Sequence, residues 1–258
     1  MQLTWLDSNS WLIDMAGQRV LLDPWLTGSL IFGNLPWLFK GDKRNPRPIP
    51  ENIDHVLLSQ GLEDHAHPPT LQLLDKTIPV AGSPSAAKVA QQLGYTRVTA
   101  LAHGETLTLA NKLQIKATPG SPLGPQVVEN GYLLKDLDAG TTLYYEPHGY
   151  HSPSLKEEAP VDAVIAPIID LGLPLVGPII RGTKSALELA KMLQPQVMLP
   201  TAAGGDVVYE GLLASVLRTA GTVGEFRSLL QQNNLSTRVI EPIPGEPFEL
   251  QLEKRALV

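Results

Sequence analysis

The apolar and polar positions of this chain fall into short runs. Four β-like runs occupy its first quarter, at residues 3–6, 10–15, 19–22 and 55–59, and Gly17-Gln18 separates the second from the third as a hairpin turn would. The run HVLLS (55–59) is apolar without alternation, the pattern of a strand covered on both faces. A polar loop follows, and residues 68–75 then start with proline, as helices do in their first turn. The alternation repeats in a strand at 78–81, a helix over 83–93 opened by Ser83 and closed by Gly94, and a strand at 97–100. Runs at 107–109, 113–117, 131–134 and 142–145 make a β-rich middle. The last third reads as strand 163–167, amphipathic helix 183–193, strand 197–200, helices 209–220 and 223–232, and strands 236–240 and 247–252. No Ser/Gly linker intervenes. The expectation is a single α/β domain over residues 1–258, with two sheets in the middle and helices outside.

Composition narrows the partners. The 258 residues are 43% hydrophobic and 18% charged, enough apolar material for a sizeable core. A net charge of -6 with no basic stripe argues against nucleic acid. Cysteine is absent, which excludes disulfides, thiol catalysis and Cys-ligated zinc. The opening MQLTWLDSNSWLI has neither a basic region nor a small-residue cleavage site, so no secretory signal is expected and a cytoplasmic location is. The longest apolar tract, 166–180, is broken by Asp170, Pro174 and Pro178 and falls short of the ~20 residues of a membrane span. A second stretch, LIFGNLPWLF, runs from Leu30 to Phe39 and is loop-like because of Gly33, Asn34 and Pro36. It reads as a loop covering the core, a lid over a greasy substrate, or a shallow peripheral membrane contact.

The most informative stretch is SQGLEDHAH (59–67), placed between the buried strand and the helix. It resembles the metallo-β-lactamase signature, Thr-His-x-His-x-Asp-His. Aligned on Asp64-His65, the first two histidines fall on Gln60 and Leu62. Asp23-Pro24-Trp25 after the early hairpin is similar to the branch of Zn-dependent hydrolases that includes ascorbate-phosphate lactonase. Ala117-Thr118-Pro119-Gly120 matches a Pro-Gly-His site, with Ser121 at the histidine. Leu143-Tyr144-Tyr145-Glu146 matches the strand that delivers a bridging aspartate, and the strand ending at Pro200 places the last histidine on Ala202. The segments YYEPHG and IAPIIDLGLPLVGPIIRG resemble a cyanobacterial and plastid subgroup.

The resemblance implies a four-layer αβ/βα sandwich with its cleft along one edge of the two sheets. A two-zinc hydrolase needs five or six N and O ligands. With Gln60, Leu62, Ser121 and Ala202 at four histidine positions, the first metal should be lost. Asp64, His65 and Glu146 remain for one divalent ion, Zn, Mn or Fe, with His67 and His148 as supplements. Without metal, Asp64 caps the next helix, or Glu146, His148 and His65 act as acid and base. Three functions follow: a non-catalytic binding or assembly protein, a metal-independent enzyme reusing the cleft for a small molecule, or a mononuclear hydrolase. Asp170 and the loop 201–206 should face the cleft. His55 and His103 read as structural, Trp5 and Trp11 as core, and Trp25 and Trp37 as the cleft mouth.

Overall fold

Period-two burial builds two seven-stranded sheets whose inner faces meet. The computed structural model describes residues 1–123, 127–174, 177–202 and 204–254. One sheet runs, edge to edge, Pro247–Glu249, Gln2–Trp5, Trp11–Met15, Gln18–Leu22, His55–Leu58, Val80–Gly82 and Val98–Ala100. The other runs Arg238–Val239, Val197–Pro200, Ala163–Ala166, Thr142–Tyr145, Val128–Asp136, Leu113–Pro122 and Thr106–Leu109. Trp11, Ile13, Met15, Val20 and Leu57 point inward against Ile115, Tyr132, Tyr145 and Ile165 of the facing sheet. Their alternates Leu12, Leu21, Val56 and Leu58 pack outward with Leu71, Ala86 and Ala90 of the helices Pro68–Leu73 and Pro84–Gln92. On the far side, Tyr144, Val164 and Met198 pack with the helices Thr183–Leu193 and Val223–Gln232. This is the four-layer sandwich the resemblance implies. Trp5 and Trp11 lie in its core, as expected.

Two small sheets stand apart from the sandwich. One joins Leu30–Ile31, Lys40–Lys43 and Val207–Glu210, and the other joins Gly177–Ile180, Asp170–Leu173 and Arg218–Ala220. The helix expected over 209–220 is therefore corrected to strand, a short helix Leu212–Val216, and strand. Gly211, at a φ of 101°, breaks the helical path, and the N–H groups of Leu212 and Leu213 donate to the carbonyls of Trp37 and Leu38. Trp25 is also corrected. It is fully buried, donates to the Gly28 carbonyl at 3.0 Å and carries the Lys43 ammonium over its ring, while Trp37 is 64% exposed. Gly41 admits Trp25, because a Cβ there would stand 2.9 Å from the indole. Among the described residues, no helix is long and apolar enough to cross a membrane.

His55 opens its strand as a buried side chain. Burial, aided by Arg97, pushes its imidazole down to about 4 against the pull of Asp54. An unfolded histidine titrates near ~6.5, so between these values the unfolded chain binds the extra proton. Stability contributed by neutral His55 is present above that window and lost as pH falls through it, to a limit of roughly 3 kcal/mol. Thermal denaturation should show the melting temperature dropping between about pH 6.5 and 4. In His55→Leu the drop should be shallower.

Candidate metal centre

The site grows from the ends of neighbouring strands. Gln18–Leu22 pairs in parallel with His55–Leu58, with Leu22 opposite Leu57, so Asp23 and Ser59 emerge side by side. Asp23 is fully buried and serves as an acceptor hub. Its Oδ1 accepts the Ser59 N–H at 2.7 Å. Its Oδ2 accepts the Ser59 hydroxyl at 2.5 Å, the Tyr145 hydroxyl at 2.6 Å and Nδ1–H of His65 at 2.7 Å. A carboxylate on one imidazole nitrogen fixes the ring and presents the other, the usual support for a metal-binding histidine. Nε2 of His65 lies 3.1 Å from Oδ2 of Asp64 and 3.4 Å from the Asn9 amide nitrogen.

The loop after Thr142–Tyr145 supplies the other side. Glu146 is fully buried, and its Oε2 accepts the backbone N–H of His148 at 3.1 Å and of Tyr150 at 2.8 Å. Gly149 lets this loop press on Arg181, whose N–H donates to the His148 carbonyl; a Cβ at 149 would fall inside the Arg181 carbonyl. The His148 ring is thereby placed with its centre 5.0 Å from that of His65. Nδ1 of His148 lies 3.0 Å from the Gln60 amide nitrogen and 3.4 Å from the Ser121 hydroxyl.

Charge follows from these contacts. Burial opposes a charge on His65, but Asp64 and Asp23 outweigh it and push the imidazole up to about 10. Burial also acts to raise Asp64, and His65 overrides it, holding the carboxyl below its ordinary range. His148 is pushed down to about 3 by burial, with His65 adding to the effect. Burial pushes Glu146 up to about 8 against the anion-favouring N–H groups of Tyr150, His148 and Gly149.

Asp64, His65 and His148 each offer one ligand atom, all within 4.8 Å of one another. The structure thus brings together Asp64 and His65 of the expected set and adds His148. Glu146 stands outside this group, turned to its own loop. His67 uses both ring nitrogens elsewhere: Nδ1 accepts from the Thr70 N–H as cap of the helix Pro68–Leu73, and Nε2 meets the Ser29 carbonyl at 3.1 Å. The cap expected of Asp64 is therefore His67. Asp170 accepts from the N–H groups of Gly182 and Thr183 and so caps Thr183–Leu193. Of the glycines in the loop 201–206, Gly204 borders the cavity, and Gly205 passes so close to Asp7 that a Cβ would lie 2.6 Å from its carboxylate. His103 sits 3.3 Å from the Glu129 carbonyl, away from the group.

Glu146 makes a test of its own. Glu146→Ala leaves the N–H groups of His148 and Tyr150 unpaired, which costs about 2–6 kcal/mol at ~1–3 kcal/mol each. Glutamine keeps an accepting oxygen, so Glu146→Gln should stay within about 1 kcal/mol of the parent in urea denaturation.

Four acceptor oxygens in this region are buried without a hydrogen-bond partner: Oδ1 of Asp64, Oδ1 of Asn9, Oε1 of Gln60 and Oε1 of Glu146. Buried acceptors are nearly always satisfied, and a cluster left open marks a place for a cation or a donor. Asp64 and His148 also border a cavity of about 410 Å³, whose wall includes Ala202.

Known proteins resemble this chain in sequence and in fold. The family model described as beta-lactamase superfamily domain matches residues 2–202. A metal-dependent hydrolase of Methanopyrus kandleri is 23% identical over 258 residues, covering 96% of this chain and 100% of that one. A metal-dependent hydrolase of Azorhizobium caulinodans is 35% identical over 65 residues, 25% of this chain and 23% of that one. The isothiocyanate hydrolase from Delia radicum gut bacteria superposes with a TM-score of 0.69 at 17% identity, covering 97% and 99% of the two chains.

Proposed function

The chain belongs to the beta-lactamase superfamily domain family, and from that premise we propose that it is a hydrolase with one retained divalent-metal position, Asp64–His65–His148. The first metal position is lost at Gln60, Leu62, Ser121 and Ala202. The observation that carries the reading is the ligand trio beside the orphaned Asp64 oxygen, Oδ1. A carboxylate and two imidazoles are a donor set for Zn, Mn or Fe. Such an ion, when held, polarises a substrate carbonyl and makes water acidic. The chain's own residues do the remaining work. Asp23 orients His65 through Nδ1. Glu146 and Gly149 set the loop that carries His148. Asn9 adds a neutral polar contact beside His65.

A metal-independent reading has one observation in its favour. Gln60 Nε2 faces His148 Nδ1, which leaves the ring proton on Nε2, where His148 can donate to a substrate oxygen. Rotating the Gln60 amide by half a turn places Oε1 on Nδ1–H and frees Nε2 as a ligand. Thermal shift with Mn²⁺, Fe²⁺ and Zn²⁺ separates the two readings. Stabilisation that rises with ion concentration and saturates supports the metal, and no shift with any of the three rejects it.

A further inference from the structure

The cavity beside Asp64 and His148 has a mostly apolar lining. Ser8, Asn9, Asp64 and His148 line it, and the last three of these also meet His65. The rest of the wall comes from the two small sheets, the helix Leu212–Val216 and the segments flanking them, with Ala202 and Gly204 added by the loop 201–206 and hydroxyls by Tyr209 and Thr219. Phe32 and Phe39 supply aromatic faces there, and Leu171, Ile180, Leu213 and Leu217 supply aliphatic ones. Among the described lining residues there is no lysine or arginine, and Asp64 is the one carboxylate. A cavity of about 410 Å³ with few polar groups is built for a small molecule held by hydrophobic burial and oriented by its polar end.

We propose that this cavity binds the hydrocarbon tail of a neutral acyl ester, lactone or amide, with the carbonyl end against Asp64 and His148. The absence of cationic lining residues excludes an anionic tail, because its charge would be buried unpaired. The carbonyl placement rests on the hydrolase reading given above. The tail site does not, because most of its wall lies on other elements.

Titration calorimetry with methyl butanoate, hexanoate, octanoate and decanoate tests the tail site, run on metal-stripped and on metal-loaded protein. The dissociation constant should fall about fourfold per added methylene, which corresponds to ~0.8 kcal/mol for burying one CH₂. Ala214→Trp, which fills the cavity, should weaken decanoate at least ~10-fold and leave butanoate within ~2-fold. Ile179→Asp places a charge on a lining position that is already 43% exposed, so it tests the same wall without burdening the fold. It should weaken decanoate in the same direction. Trp37→Ala should leave the series intact, because Trp37 is not among the lining residues. Affinity independent of chain length, or decanoate binding unchanged in both Ala214→Trp and Ile179→Asp, overturns the proposal. A series that persists in stripped protein while metal addition has no effect on binding or melting rejects the metal reading and keeps the tail site.

Discussion

Asp23→Ala should lower stability by at least about 5 kcal/mol, a large part of the ~5–15 kcal/mol that holds a domain of ordinary stability together. The substitution strands four donors at once: the Ser59 N–H and hydroxyl, the Tyr145 hydroxyl and Nδ1–H of His65. Each orphaned buried group costs ~1–3 kcal/mol, and a buried charge that loses its partner costs ~3–5 kcal/mol. Asp23→Asn is the control. Its oxygen can turn to the three donors around Oδ2, which leaves the amide facing the Ser59 N–H at a cost of about 1–3 kcal/mol. Urea denaturation distinguishes the two, and equal small losses would show that Asp23 is no hub.

The second large effect concerns Asp64 and His65. At an ion concentration 100 times its dissociation constant, binding stabilises the fold by ~2.7 kcal/mol, or roughly 5–10 °C in melting temperature for a chain of this size. Asp64→Ala and His65→Ala should abolish that shift. Asp64→Ala is the cleaner variant, because Asp64 keeps part of its side chain in solvent and supports no other buried donor than His65. His65→Ala also leaves Asp23 without its imidazole partner, so its baseline melting temperature should fall even without metal. If the ion-dependent shift survives Asp64→Ala, the site lies elsewhere.

The two sheets were legible because period-two burial leaves a strong imprint, as in Trp11, Ile13 and Met15 against Leu12. Ser83 capping its helix was legible for a local reason, a side-chain acceptor just before the first turn. The small sheets were not. Asp170–Leu173 and Gly177–Ile180 are short and interrupted by Gly172 and Pro178, and the first of them pairs on its other edge with Arg218–Ala220, distant in sequence. Leu212, Leu213 and Leu217 carry helical spacing, and only Gly211 signals the break. In the site, Asp64-His65 is readable as a motif, whereas nothing local in the sequence sets His148 ahead of Glu146. Oε2 of Glu146 is taken up by the N–H groups of His148 and Tyr150, two and four residues on, a local turn that the sequence does not announce. Asp23 is visible in the sequence as a family feature, but its role as an acceptor hub is not. An aspartate at the end of a buried strand, next to another strand that ends in Ser59, is the signal that could have revealed it.

The central claim is one metal position held by His148 rather than Glu146. Elemental analysis of metal per chain, on protein purified without chelator, tests it most directly. The account predicts one ion per chain in the parent and in Glu146→Gln, and none in Asp64→Ala or His148→Ala. Two ions per chain, or an ion kept by His148→Ala and lost by Glu146→Gln, would contradict it.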